Sequence, residues 1–120
     1  MSNISTNTLT SLSGNTVKVN DIANGNVGIG VGQTWQDVTS ERASGQDYPN
    51  DTGRPIQIAL SYNDGGSGEV SVTVDGVVIF TQLYEGSNGI NPLSFIVPTD
   101  SIYKITLTTD MSIRLWSELR

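Results

Sequence analysis

The sequence predicts an all-β fold: an antiparallel β-sandwich or jelly-roll-like domain with an extended N-terminal arm. Three observations predict it. Ser, Thr, Asn, Gly and Gln dominate, with 36% hydrophobic and 15% charged residues, a composition poor in the Leu, Ala, Glu and Lys of helical domains. From residue 56 onward, short runs alternate apolar and polar side chains, the period of a strand with one buried face. Clusters of Gly, Asn, Asp and Ser separate those runs at roughly 8–12-residue intervals, as in sandwiches.

The elements follow in order. Residues 1–15 are Ser, Thr and Asn with isolated Ile4, Leu9 and Leu12, a spacing that suits an extended arm. Thr16 to Asn20 alternates and reads as a short strand closed by Asp21. After the Asn24-Gly25-Asn26 turn, Val27, Ile29 and Val31 would share one face of a strand whose other face is glycine, suited to close approach by another chain. Gln33 to Arg54 reads as a long loop anchored by Trp35, Val38 and Tyr48, because Pro49 and Pro55 exclude a helix there. Ile56, Ile58 and Leu60 then alternate with Gln57 and Ala59, and Asn63 to Gly68 is a turn. Val70, Val72 and Val74 form the next alternating run, and Asp75-Gly76 is a preferred two-residue hairpin turn into Val77 to Phe80. Glu85 to Asn91 is a further turn, Leu93 to Val97 a strand stopped by Pro98, and Ser101 to Thr108 another. The run Ser112 to Leu119 sets Ile113, Leu115 and Trp116 against the core.

With 120 residues the chain is one domain, divided into an attachment arm at 1–26 and a sandwich at 27–120. So short a chain buries a modest share of its surface alone, and association with copies of itself would supply more. Twelve acidic against six basic residues give a net charge of −6 without a basic cluster, which disfavours nucleic acid and anionic membranes. No apolar run approaches the ~20 residues of a membrane span, and residues 1–10 lack a signal-peptide pattern, so synthesis in a cytoplasm is expected. Without Cys or His there is no thiolate nucleophile, catalytic triad or imidazole metal site. The nearest carboxylate pairs, Asp47 with Asp51 and Asp64 with Glu69, sit in turn-rich segments where acids are ordinary turn formers. No enzyme, metal or cofactor is therefore expected. Gly28-Ile29-Gly30-Val31-Gly32 lacks the strand-to-helix unit that a phosphate-binding fingerprint needs.

Two strings carry a resemblance: Gly30-Val31-Gly32-Gln33-Thr34-Trp35-Gln36-Asp37-Val38-Thr39-Ser40-Glu41-Arg42-Ala43, then Tyr48-Pro49-Asn50-Asp51-Thr52-Gly53-Arg54-Pro55-Ile56. With Val72 to Val77, Phe95 to Pro98 and the closing Trp116-Ser117-Glu118-Leu119-Arg120, the pattern resembles the C-terminal domains of bacteriophage tail fibres. The likeness runs from about residue 27 to the end. It implies a homotrimeric β-structure, membership of a virion, and contact with a host surface or capping of a fibre.

Candidate partner contacts are Trp35, Arg42, Tyr48, Arg54 and Tyr84. A Trp in a polar, Gly-flanked segment offers a flat amphipathic face to a sugar or partner, or else plugs the end of the sandwich. Arg42 and Arg54 are placed to fork onto a carboxylate such as Asp37 or Asp51 across a subunit boundary, or to form solvated surface pairs. Val27, Ile29, Val31, Trp116 and Arg120 are candidate oligomer contacts. Two function classes follow. One is an adhesive fibre tip whose loops at 33–54, 63–68 and 85–91 meet a host glycan or protein, with a carbohydrate-binding module as a variant. The other is a capsid decoration or cement protein joined to other virion proteins through residues 1–26 by strand addition.

Overall fold

The computed structural model describes residues 28–86 and 88–120, with the backbone pairing of Thr8–Thr10 and Thr16–Lys18. Strands β1 (Thr8–Thr10) and β2 (Thr16–Lys18) pair antiparallel with each other and, among the described residues, with neither larger sheet. The eight following strands are β3 (Trp35–Asp37), β4 (Asp47–Pro49), β5 (Ile56–Asn63), β6 (Ser67–Val74), β7 (Val77–Glu85), β8 (Ile90–Val97), β9 (Ile102–Leu107) and β10 (Ser112–Leu119). They make two antiparallel sheets, ordered β3-β10-β5-β8 and β4-β9-β6-β7. Every connection except the β6–β7 hairpin passes from one sheet to the other, which is the winding of a jelly roll. Among the described residues there is no α-helix, only a 3-10 turn at Thr39–Glu41.

Alternation builds the core. On β5, Ile56, Ile58, Leu60 and Tyr62 point inward and are essentially solvent-free. They pack in one cluster with Val70, Val72 and Val74 of β6, Tyr103 and Ile105 of β9, Leu93 and Val97 of β8, and Trp116 of β10. Full burial of such side chains contributes about 1.5–3 kcal/mol each, so this layer is the main source of stability. Asp75 and Gly76 both have positive φ, 52° and 80°, the conformation that matches a two-residue hairpin to strand twist.

Several expectations change. Val27 lies outside the described residues, and Ile29 to Gly32 is a pair of turns rather than a strand, with Gly30 and Gly32 at positive φ. Thr8 to Thr10, read as arm, is a strand paired with β2. The segment 33–54 is not one long loop. It contributes the edge strands β3 and β4, joined by the 3-10 turn. Pro49 did not prevent a strand because β4 is an edge, where a missing N–H costs nothing. Val38 anchors the segment at 6% exposure, whereas Trp35 stands 53% exposed. On β10 a bulge at Arg114 shifts the register, so Ile113 and Trp116 both face the core and Leu115 turns outward.

Candidate interaction surface

One flank of the sandwich is latched shut by polar groups. Glu118, inward on β10 and 1% exposed, accepts hydrogen bonds from Arg42 Nε at 3.1 Å and Nη2 at 3.2 Å, and from Arg120 Nη1 at 2.7 Å. The Tyr103 hydroxyl donates to the same carboxylate, and Trp116 Nε1 donates to that hydroxyl at 3.2 Å. The Arg42 guanidinium also lies 4.6 Å over the Tyr48 ring, a cation–π contact. Arg120 Nη2 reaches Asp51 Oδ1 at 2.9 Å. Burial pushes the Glu118 carboxyl up, but hydrogen bonds from Arg42 and Tyr103 and the charge of the two arginines outweigh it, holding it below the usual Glu range. Burial raises the Tyr103 hydroxyl above the usual Tyr range.

The expected fork of Arg42 thus exists, but onto Glu118 of the same chain rather than onto Asp37 or Asp51 of a neighbour. Trp116, expected at an oligomer contact, is fully buried in the monomer's core and is closed to a partner. Arg120 is committed to Glu118 and Asp51 within the chain. Tyr48 is half-buried, edge-on to Trp116 at 5.9 Å, and accepts the Ala43 N–H at 2.7 Å. Tyr84 is half-buried too, its hydroxyl 2.5 Å from that of Tyr62. Arg54 folds back onto the Gly28 carbonyl at 3.2 Å. Ile29 is half-buried and Val31 is 61% exposed on its turn.

Sequence reasoning missed two organising residues. Glu118 is one; its signal was the alternation in Trp116-Ser117-Glu118, which sets Glu118 on the buried face beside Trp116. Asn50 is the other, at 1% exposure. Its amide donates to the carbonyls of Arg54, Val97 and Pro98 at 2.6, 3.1 and 3.0 Å, while its carbonyl accepts from Thr52. Asp64, 4% exposed, accepts from the N–H groups of Gly66 and Gly89 and from Asn91. Glu69 accepts from Thr81. Among the described residues, no three acidic side chains converge as a metal site.

The outer face of the first sheet is different in kind. Register aligns Trp35, Leu119, Gln57 and Ile96 in one row across β3, β10, β5 and β8. The next outward row is Asp37, Ser117, Ala59 and Ser94, followed by Leu115, Ser61 and Pro92. Small side chains leave an open groove of about 380 Å³ over Ala59, Ser61, Ser94 and Ser117, bordered by Leu115 and Pro92. Leu115 at its border, and Trp35, Ile90 and Ile96 elsewhere on the same face, stand about half exposed. The outer face of the second sheet mixes Ser71, Thr73, Thr81, Lys104 and Thr106 with exposed Val78, Leu83 and Ile102. The groove on the first sheet, with exposed Leu115 and Pro92 at its border, is the candidate interaction surface.

No protein-family model matches the chain, and no curated protein gives a significant match. Among solved structures, dimeric latent PorU from Porphyromonas gingivalis is similar at a TM-score of 0.43 and 14% identity, over 70% of this chain and 10% of that one. The chain spans about a tenth of that protein's length, and a likeness so distant carries no inference.

Proposed function

We propose that the chain is a non-enzymatic structural module of a bacteriophage particle, the tip of a tail fibre, which self-associates and meets the host surface. The observation that carries this reading is the apolar, grooved outer face of the first sheet, with Trp35 exposed at its corner. Such a face in a monomer is an unfilled contact. The resemblance to tail-fibre ends supplies the setting, a trimer on a virion. The exposed ring of Trp35 is a suitable stacking platform for a host glycan or protein, at little entropic cost.

A second reading, a capsid decoration protein, is favoured by one observation: Thr8–Thr10 and Thr16–Lys18 form an antiparallel pair of their own, a unit suited to strand addition by a neighbouring virion protein. Gold labelling of purified particles distinguishes the two. Label at the tail end supports the fibre tip, label over the head supports decoration, and particles without the protein overturn both.

A further inference from the structure

The connection between β7 and β8 carries Asn88-Gly89. An Asn followed by Gly is prone to attack by the glycine nitrogen on the Asn side-chain amide, because no Cβ restricts the approach. The structure treats the two partners of that reaction differently. Asn88 is exposed, and its side chain makes no hydrogen bond among the described residues. Gly89 is half-buried and held on both sides by Asp64: its N–H donates to Asp64 Oδ1 at 3.1 Å, and its carbonyl accepts the Asp64 N–H at 2.9 Å. Asn91 Nδ2 closes the clamp by donating to Asp64 Oδ2 at 2.8 Å. The Asp-Gly pairs, Asp64-Gly65 and Asp75-Gly76, are protected at the other partner. The Asp64 carboxylate is engaged by Gly66, Gly89 and Asn91, and that of Asp75 by Ser101 and Ile102. Among the described residues, Asn88-Gly89 is thus the pair whose side chain is free to react.

We propose that Asn88 is a site of spontaneous deamidation whose rate Asp64 controls, by holding the Gly89 N–H that must be given up. The Gly89 nitrogen loses its proton to hydroxide and bonds to Cγ of Asn88. The Cγ–Nδ2 bond breaks, and ammonia leaves with a proton taken from water. Water then opens the succinimide at either carbonyl, giving aspartate or isoaspartate at 88 without oxidant or reductant. A carboxylate acceptor opposes the first event, since deprotonation would set a second negative charge 3.1 Å from Asp64 Oδ1. Asp64 carries its charge at neutral pH, its carboxyl held below the usual Asp range chiefly by the Gly66 N–H. The product is one-way. Either form adds a negative charge next to the clamp, and isoaspartate also lengthens the backbone between β7 and β8, so that Gly89 no longer meets Asp64 in register. A transient opening of the clamp is therefore recorded covalently.

The test is peptide mapping by mass spectrometry after the full chain is incubated in mildly alkaline buffer. Mapping also separates Asn88 from the pair Asn24-Gly25, which lies outside the described residues. The urea-unfolded chain sets the reference rate at Asn88. The native protein is expected to convert there more slowly by on the order of tenfold or more, the factor that a hydrogen bond to a charged group supplies. Asp64→Ser removes the carboxylate without creating a further Asn-Gly pair. Shown to be folded by circular dichroism, it should lose most of that protection. Gly89→Ala would place its Cβ in ordinary contact, 3.5 Å from Asp64 Oδ2, and should slow conversion even in urea. Hydrogen exchange of the Gly89 amide in the native protein should be slow, a measurement that needs no variant to fold. Native conversion as fast as in urea would overturn the proposal. So would a folded Asp64→Ser as protected as the native chain, or a Gly89 amide exchanging at the unfolded rate.

Discussion

Arg42 grips Glu118 across 76 residues of sequence with a two-point fork, Nε to Oε2 at 3.1 Å and Nη2 to Oε1 at 3.2 Å. The pair ties the segment after the 3-10 turn to β10, and Arg120 and Tyr103 satisfy the rest of the carboxylate. Without such partners a buried carboxylate would cost more than its attraction returns.

Removing the carboxylate should therefore be severe. Glu118→Ala leaves two guanidinium groups and the Tyr103 hydroxyl without their acceptor, and is expected to cost about 3–5 kcal/mol in urea unfolding. Arg42→Lys keeps the charge but loses the fork and should cost less, roughly 1–2 kcal/mol. Equal losses for the two variants would contradict the fork.

Acid should unfold the protein through identifiable groups. Glu118 is held below the Glu value of 4.5, and Asp37, Asp64 and Asp75 below the Asp value of 3.8, chiefly by hydrogen bonds from Thr39, Gly66 and Ser101 for the three aspartates. A depressed folded pKa contributes stability that is present above the unfolded value and is lost as pH falls through the folded one. Stability is thus expected to be flat near neutrality and to fall from about pH 4.5 downward. Glu118→Gln, measured alongside, should flatten the start of that fall.

The turn after β5 is sterically set. Gly65 has φ 69°, and a Cβ there would strike the backbone carbonyl of Asp110. Gly76 has φ 80° with open space around it. Gly76→Ala should cost about 1–2 kcal/mol from the left-handed backbone alone, and Gly65→Ala a further ~1–3 kcal/mol from the clash. Thermal unfolding of the two variants checks the order.

Asn50 should tolerate neither loss nor charge. Asn50→Asp turns an amide donor into a carboxylate facing the carbonyls of Arg54, Val97 and Pro98. The expected cost is at least ~2 kcal/mol, larger than that of Asn50→Ala. A milder effect of the aspartate would contradict the assigned amide orientation.

What the sequence made legible was the part governed by period. The β5 and β6 runs alternate cleanly, and Ile56 to Tyr62 and Val70 to Val74 are buried at every second position. The Asp75-Gly76 turn was legible from its residue pair alone. Three-residue edge strands such as β3 and β4 are too short to show a period, so their segment read as loop. Val27 to Gly32 read as strand because glycine is silent about φ, and Gly30 and Gly32 adopt positive values. For Trp35 the sequence left an exposed contact and an end plug both open, and its outward register with Leu119 exposes it. Within the tail-fibre-like strings, Arg42 and Trp116 make their contacts inside the monomer.

Trp35 separates stability from association. Its ring contributes little to the core, so Trp35→Ala should change unfolding by less than ~0.5 kcal/mol while weakening whatever meets the outer face. Matched losses of stability and binding would place the ring back in the core.

The most direct measurement is sedimentation velocity of the intact protein beside Leu115→Asp, a change on the exposed rim of the groove. The native protein is expected to sediment as a closed oligomer and the variant as a folded monomer. A native protein that stays monomeric at every concentration, or a variant that associates as well as the native one, would contradict the assignment of the first sheet's outer face as the surface of association.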